Sequence, residues 1–306
     1  MNSYAGSYLI NADSHGLATP LVALAVAFLL GYALTAVARR VAPHLGMVDR
    51  PDGKRKHHDR PIPLMGGTAI YLAFAITMLL LMTFGPAPAD GQRDGILGWL
   101  PLLASAILFC SLGLYDDRHA LKPRWKLAGQ VIACLPFVVW GGAIGKIGLL
   151  GLQCTLGMWS IPFTIFWLVA CSNVINLIDG MDGLAGAISC IALLTLGAMA
   201  TLMGRYDTAV VAIVAAAAVA GFLVHNWPPA KIFMGDSGSL MLGFLIGALG
   251  LQASLKQAAG FMLVVPLVLI SVPVFDTAMA ILRRKLSGRG IGEADHGHIH
   301  HRLQQQ

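Results

Sequence analysis

Residues 159–203 read WSIPFTIFWLVACSNVINLIDGMDGLAGAISCIALLTLGAMATLM, and this stretch decides the fold. It contains two apolar segments, 159–175 and 184–203, separated by a polar block without Lys or Arg. Each segment has the roughly 17–25 residues that a helix needs to cross a bilayer core. Because that core offers no water to backbone groups, both segments are predicted to be transmembrane helices.

The same pattern recurs along the whole chain of 306 residues, of which 57% are hydrophobic and only 12% are charged. A soluble domain carries about 25% charged residues. The sequence therefore predicts an all-α integral membrane protein with about nine transmembrane helices in a single polytopic domain, residues 1–306. The predicted spans are 19–38, 64–84, 98–114, 127–140, 159–175, 184–203, 208–224, 240–252 and 260–282.

The charges predict the orientation. When the segments between spans are numbered from the N-terminus, the odd ones hold four of the 21 Lys and Arg residues and the even ones hold the other seventeen. The positive-inside rule then places the N-terminus in the periplasm and the even segments in the cytoplasm. Ten of the fifteen Asp and Glu residues also lie in the even segments, and attraction of basic loops to lipid does not explain them. This clustering predicts an active site on the cytoplasmic face.

The first acidic candidates lie in the sequence YDDR, residues 115–118, at the end of an apolar span. Asp116 and Asp117 are adjacent carboxylates at the membrane boundary, and they repel each other unless a cation or a proton relieves the repulsion. The plain alternative is a solvated helix end.

The polar block NVINLIDGMDG, residues 173–183, is more specific. Asn173, Asn176 and Asp179 are spaced by three, so on a helical turn they share one face. The glycines allow the backbone to leave the helix and approach a ligand. Together with Asp182, these groups are costly at the hydrocarbon edge unless they have partners, which favours a bound ligand or ion over an incidental turn.

The segment HNWPPAKIFMGDSGS, residues 225–239, precedes another apolar span. Its GDSGS sequence is predicted to begin a helix, whose free N–H groups and dipole favour phosphate. Asp236 is a candidate Mg²⁺ ligand, because Mg²⁺ uses one or two protein carboxylates and completes its shell with water and substrate phosphates.

The C-terminal segment, residues 283–302, is basic and then rich in histidine. Its histidines could bind zinc, or they could hydrogen-bond a diphosphate. No cysteine lies nearby and the other candidates are hard oxygen ligands, so the anion role is favoured. The histidines concerned are His298, His300 and His301.

These motifs together resemble the polyprenyl-phosphate N-acetylhexosamine-1-phosphate transferases, which include the phospho-MurNAc-pentapeptide translocase and GlcNAc-1-phosphate transferases. The resemblance runs from PLMGG, residues 63–67, to His301. It covers the DD pair, NxxNxxDGxDG, FMGDSGS, PVFDT and HxHH in family order. The HIHHRL ending and the spacing from PVFDT to Arg283 look more like the GlcNAc-1-phosphate branch.

The resemblance implies transfer of a HexNAc-1-phosphate, with GlcNAc-1-phosphate favoured, from a UDP-sugar to undecaprenyl phosphate in a bacterial inner membrane. The released product is UMP. The implied cofactor is Mg²⁺, with Mn²⁺ as an alternative, and no nucleic acid is involved. The glycan pathway and the formation of a homodimer are left open.

The resemblance also implies residue roles. Asp236 is implied to bind the metal, and Asp116 and Asp117 are implied to serve the lipid phosphate, with Asp117 the better candidate base. The residues implied to line the nucleotide-sugar pocket are Asn173, Asn176, Asp179 and Asp182, and Asp179 is also implied to be catalytic, as are Asp116 and Asp117. Those implied to contact the uridine are Asn226 and Phe233. Those implied to contact the diphosphate are His298, His300 and His301.

One departure concerns the C-terminus. Members of this superfamily usually continue past the histidine motif into one or two more membrane helices, whereas this sequence stops at residues 302–306, RLQQQ. Either the sequence is truncated or this member lacks that part.

Two other classes compete with this interpretation. An ion-coupled secondary transporter of a polar or anionic solute would carry its ionisable groups near the bilayer midplane on broken helices, whereas here they lie at loop edges on one side. An intramembrane aspartyl protease needs two facing aspartates within the membrane, and it leaves the NxxNxxDGxDG block and the histidines unexplained.

Overall fold

The computed structural model describes residues 18–49, 61–84, 98–149 and 152–254. The helices in these ranges are α1 Ala18–Val41, α2 Gly66–Phe84, α3 Leu100–His119, α4 Pro123–Phe137, α5 Ser160–Ile178, α6 Leu184–Leu202, α7 Tyr206–Asn226 and α8 Gly235–Ser254. Two antiparallel strand pairs join Val48–Asp49 (β1) to Ile62–Pro63 (β2) and Lys146–Leu149 (β3) to Leu152–Thr155 (β4). The described part of the chain is therefore mostly helical, as predicted.

Seven of these helices are long and apolar enough to cross a membrane. They correspond to all the predicted spans except 127–140 and 260–282. The span 127–140 corresponds to α4, which has 15 residues and continues into a π-helical turn at Val138–Gly142. The span 260–282 lies outside the described residues. The multi-pass helical architecture is confirmed, while the count of nine spans and the orientation remain predictions.

Helix α8 is the central element of the bundle. It packs most extensively against α3 and α5 and also contacts α2, α6 and α7. Its side chains from Leu240 to Leu249 are buried. Gly243 lies against the backbone of α5 at Cys171 and Ser172, where a Cβ atom would overlap the Cys171 carbonyl. Small residues let transmembrane helices approach this closely.

Helix α7 is the second buried helix, and it packs mainly against α1 and α6. The side chains of Ala215 and Ala218 are almost fully buried, and Gly221 lies against the α1 backbone near Phe28. The described bundle therefore has two buried helices, α7 and α8, which are sheltered by the others.

Several helices extend beyond the predicted boundaries, among them the following three. The span 98–114 continues to His119, the span 159–175 continues to Ile178, and the span 240–252 begins at Gly235. The boundaries of these predicted spans were placed where the apolar residues give way to polar ones. The polar residues are nevertheless helical, because their side chains find partners on neighbouring helices.

The polar segments meet at one end of the bundle, which is formed by the last turns of α3, α5 and α7 and the first turns of α2, α4, α6 and α8. Hydrogen bonds connect α3 with α8, α4 with α8 and the start of α6 with the loop after α7. The described polar segments that carry candidate site residues therefore meet at one end of the bundle, while their location on the cytoplasmic face of a membrane remains a prediction.

Candidate active site

The loop before α8 is held against the start of α2. The Phe233 N–H donates to the Pro63 carbonyl at 2.9 Å, and the Gly66 N–H donates to the Phe233 carbonyl at 3.0 Å. Gly67 lies on the backbone of Gly238, where a Cβ atom would overlap the Gly238 amide. The PLMGG sequence thus anchors the first turn of α8, and its second glycine permits the close approach.

Asp117 binds the N-terminus of α8. Its Oδ1 accepts the Asp236 N–H at 2.8 Å and its Oδ2 accepts the Ser237 N–H at 3.3 Å. A carboxylate in this position satisfies amides that have no partner within their own helix, and it complements the helix dipole. The prediction that these first-turn amides are free for phosphate is therefore corrected, since two of them bind a carboxylate of the chain itself.

Gly235 makes this contact possible. Its φ is +70°, and a Cβ atom there would lie 2.6 Å from the Asp117 Oδ2 atom. A side chain would therefore be unfavourable on two counts, the left-handed backbone and the steric overlap.

Four side chains meet beside this contact, and we call them the acidic cluster. They are Asp116, Lys126, Asn176 and Asp236. The Lys126 ammonium lies 2.9 Å from the Asp116 Oδ2 and 2.5 Å from the Asp236 Oδ2. Its distance to the Asn176 Oδ1 is 3.4 Å. The other carboxylate oxygens are also bonded, because the Asp116 Oδ1 accepts the Leu121 N–H at 2.6 Å and the Asp236 Oδ1 accepts the Asn176 Nδ2 at 2.7 Å.

The charges in the acidic cluster set the protonation state of Lys126. Burial disfavours the ammonium form, but the hydrogen bonds and charges of Asp236 and Asp116 outweigh it and raise the pKa of Lys126 above its usual value. Lys126 is therefore a cation at neutral pH.

Asp179 follows α5 directly and is half-buried. Burial, and then the negative charges of Asp236 and Asp117, raise the pKa of Asp179 to about 7. Asp179 therefore gains or loses a proton near neutral pH, depending on the charge that its neighbours carry.

The two asparagines of α5 connect α4, α5 and α8. The Asn176 Nδ2 also donates to the Ser239 Oγ at 2.9 Å. Asn173 exchanges two hydrogen bonds with Gln130, at 2.7 and 3.2 Å. The prediction that Asn173 and Asn176 share a helical face is confirmed, whereas Asp179, predicted on the same face, lies just past the end of α5 and has a non-helical backbone.

The site contains two residues that sequence reasoning did not identify, Lys126 and Gln130. They are four residues apart on α4 and therefore lie on the same face. In the sequence analysis, Lys126 was considered only as one of the positive charges that predict the membrane orientation. Its ion pairs with the aspartates were therefore not predicted. The available signal was a Lys and a Gln spaced by four, at the start of the apolar segment that follows the paired aspartates.

Asp182 and Asn226 form a second arrangement at the same end of the bundle, which we call the loop brace. The Asp182 Oδ2 accepts the Ala230 N–H at 2.9 Å. The Asn226 Oδ1 accepts the Gly183 N–H at 3.1 Å, and its Nδ2 donates to the Ile232 carbonyl at 2.8 Å. The loop brace therefore ties the turn before α6 to the loop before α8.

The remaining predicted site residues are placed as follows. Phe233 is half-buried in the loop before α8. His298, His300 and His301 lie outside the described residues. The structure brings Asp116, Asn176 and Asp236 into direct contact with one cation and places Asp117 next to them, while the substrate contacts assigned to Asp182, Asn226 and Phe233 remain predictions.

The acidic cluster has oxygen donors that suit Mg²⁺ or Mn²⁺. Asp116, Asp236 and Asn176 direct three hard oxygen atoms at one cation position. Among the described residues, no group of three or more His, Cys, Asp and Glu side chains is arranged to hold a metal by itself. The donor set therefore fits a cation that takes its other ligands from water and from substrate phosphates.

The fold and the site define a multi-pass helical membrane protein with an acidic centre at one end of its bundle. The profile of glycosyl transferase family 4 matches residues 99–254, a stretch that begins just before α3 and ends with α8. It contains the acidic cluster and the loop brace. The chain belongs to glycosyl transferase family 4.

Relatives with known names agree with this assignment. A probable undecaprenyl-phosphate N-acetylglucosaminyl 1-phosphate transferase of Bacillus subtilis is 35% identical over 285 residues, which cover 92% of this chain and 76% of the relative. A decaprenyl-phosphate N-acetylglucosaminephosphotransferase of Mycolicibacterium smegmatis is 35% identical, covering 95% and 77%. A phospho-N-acetylmuramoyl-pentapeptide-transferase of Streptococcus suis is 32% identical over 220 residues, covering 66% and 64%.

Proposed function

We propose that the protein transfers GlcNAc-1-phosphate from UDP-GlcNAc to undecaprenyl phosphate. The products are undecaprenyl-diphospho-GlcNAc and UMP, and the reaction is the first membrane step of a cell-envelope glycan. The observation that carries this proposal is the acidic cluster, in which Asp116, Asp236 and Asn176 converge on one cation position. The names of the relatives support a polyprenyl-phosphate acceptor and an N-acetylglucosamine phosphate donor.

The chemistry requires little more than positioning and charge neutralisation. Phosphoryl transfer is catalysed chiefly in these two ways. A divalent cation held by Asp236 and Asp116 would neutralise charge on the donor diphosphate and on the departing UMP. Asn176 orients Asp236 through its hydrogen bond, and Asp117 fixes the backbone of Asp236.

We favour direct attack by a lipid-phosphate oxygen on the sugar-linked phosphorus, with UMP as the leaving group. The acceptor oxygen is already ionised near pH 7, so a strong general base is unnecessary. Of the adjacent aspartates, Asp116 faces the cation position, whereas Asp117 is bound to the N-terminus of α8. We therefore propose that Asp116 lies beside the acceptor and that Asp117 is mainly a positioning residue.

The donor would bind beside the acidic cluster. The residues proposed to line the nucleotide-sugar pocket are Asn173, Asp179, Asp182, Asn226 and Phe233. The three C-terminal histidines are proposed to contact the diphosphate. The distribution of Lys and Arg supports a periplasmic N-terminus and a cytoplasmic site in a bacterial inner membrane. UDP-sugars are cytoplasmic, which agrees with this orientation.

The test is UMP release by purified protein in detergent. We expect UMP only when UDP-GlcNAc, undecaprenyl phosphate and Mg²⁺ are all present, with Mn²⁺ able to replace Mg²⁺. Omission of the lipid distinguishes transfer from simple hydrolysis of the donor, and other UDP-HexNAc donors define the sugar preference. Folded protein that releases no UMP from any UDP-HexNAc donor would contradict the proposal and turn attention to transport.

A further inference from the structure

Lys126 occupies the position on which the oxygen donors of the acidic cluster converge. Its ammonium contacts one carboxylate from α3 and one from α8, at 2.9 and 2.5 Å, and it approaches the Asn176 amide oxygen from α5. These are the same oxygen atoms that a hard divalent cation would use. The structure thus contains a cation at the proposed metal position, and this cation belongs to the protein.

Lys126 and a divalent cation would compete for these oxygen atoms. Both would lie within about 3 Å of the same carboxylates, and at that separation two like charges in a partly buried site repel strongly. Binding of one therefore disfavours the position of the other.

The local structure permits the lysine side chain to leave while its backbone stays in place. Lys126 lies near the start of α4, and Leu121, just before that helix, is hydrogen-bonded to Asp116. The connection between α3 and α4 is therefore fixed on the acidic cluster. The Lys126 side chain has a flexible four-carbon stem and is 18% exposed, so its ammonium can move while the backbone stays in place.

We propose that Lys126 is the resident cation of the acidic cluster and that the metal enters by exchange with it. Without metal, Lys126 neutralises Asp116 and Asp236 and holds α3, α4 and α8 together. When the metal binds, the ammonium withdraws from these carboxylates. The inference rests on the proposed function, since it assumes that the acidic cluster is the metal site.

The test is the affinity of the purified protein for Mn²⁺, measured without substrates from the electron paramagnetic resonance signal of free Mn²⁺. Exchange predicts that Lys126→Met, which removes the competing charge and retains most of the length of the side chain, binds Mn²⁺ about tenfold more tightly than the wild type. Lys126→Arg keeps the charge and should stay close to the wild type. Lys122→Met removes an exposed charge just before the same helix and should also stay within about twofold.

A second measurement guards against a folding defect. Lys126→Met leaves two partly buried carboxylates without their cation, so it should be less stable than the wild type in the absence of metal. Mg²⁺ should raise its melting temperature more than that of the wild type. Rescue of this kind supports the exchange, whereas unfolding that Mg²⁺ does not reverse would overturn it.

The result is distinguishable from failure of the proposed function. Unchanged or weaker Mn²⁺ binding by folded Lys126→Met, or no binding by any variant, would overturn the exchange even if the wild type releases UMP. Tighter binding by Lys126→Met together with no UMP release would support the exchange and contradict the transferase proposal.

Discussion

The acidic cluster and the loop brace lie at the same end of the bundle and use the same residue types, aspartate and asparagine, for different purposes. In the acidic cluster, Asp116 and Asp236 contact Lys126, whose positive charge is carried on a flexible side chain. In the loop brace, Asp182 and Asn226 bond to backbone N–H and carbonyl groups. A partner that can move allows a ligand to take its place, whereas a backbone partner fixes a loop.

The largest expected effect is on activity in the acidic cluster. Asp236→Asn keeps the size of the side chain but removes the carboxylate charge, so we expect UMP release to fall by about 10³-fold or more. The melting temperature should change little. Asp207→Asn is the matched control, because Asp207 is an exposed carboxylate at the other end of α7 and should leave UMP release unchanged.

UMP release and the melting temperature can be measured on the same preparations. Cys110, Cys134 and Cys171 are free and buried, so a thiol-reactive fluorescent dye reports unfolding. Wild-type turnover by folded Asp236→Asn would refute the assignment of Asp236 to the metal.

Gly235→Ala tests the connection between α3 and α8. The new methyl group would overlap the Asp117 carboxylate and shift the first turn of α8, which carries Asp236. We expect UMP release to fall by roughly 10²-fold, since a displacement of about 1 Å in an active site costs about that much. Stability should fall by about 1–3 kcal/mol.

Gly204→Ala separates the two causes of this effect. Gly204 has the same φ of +70°, but a Cβ atom there meets no other atom within 4 Å. It should therefore show backbone strain alone and retain activity. Equal loss of activity in both variants would show that the contact with Asp117 is unimportant.

Substitutions of Asp182 test the loop brace. Asp182→Asn retains an oxygen that can accept the Ala230 N–H, so we expect UMP release within about tenfold of the wild type and a similar melting temperature. Asp182→Ala leaves that amide without this acceptor and should cost about 1–3 kcal/mol in stability.

A loss of activity without a loss of stability in Asp182→Asn would change the role that we assign to Asp182. If Asp182→Asn abolishes UMP release without lowering the melting temperature, the carboxylate charge itself acts on the substrate, beyond its hydrogen bond to the Ala230 amide.

The smallest expected effect is a pH dependence from Asp179. The pKa of Asp179, raised to about 7, makes this carboxyl mostly neutral at pH 6 and mostly ionised at pH 8. The apparent affinity for Mg²⁺ should therefore rise severalfold between these pH values as a negative charge appears beside the acidic cluster. Thermal shift at a series of Mg²⁺ concentrations measures this change.

Asp179→Asn should reduce that pH dependence, whereas Asp182→Asn should preserve it. A steep pH dependence in Asp179→Asn would assign the titration to another group.

Much of the fold was predictable, because each span is long, apolar and bounded by polar residues. Seven of the predicted spans appear as helices of sufficient length, and Asn173 and Asn176 share a face as their spacing indicates. Helix ends were less predictable. The polar residues at the ends of α3 and α5 and at the start of α8 are stabilised by partners that are distant in sequence.

The site was predictable in its residue types and less so in its contacts. The paired aspartates, the NxxNxxDGxDG block and GDSGS pointed to the right end of the bundle. The contact of Asp117 with the α8 amides joins residues 119 positions apart, and the bond from Lys126 to Asp236 spans 110. No local pattern in the sequence encodes such pairs.

The sequence by itself determined that the chain is a multi-pass helical protein with its charges on alternate segments, because transfer of apolar helices into a bilayer depends on composition and length. It also determined which segments carry carboxylates. Only the tertiary structure decided that Asp116 contacts Lys126 while its neighbour Asp117 contacts the start of α8. The physical reason is that adjacent residues on a helix point in different directions, so the packing of α3 against α4 and α8 selects the partner of each carboxylate.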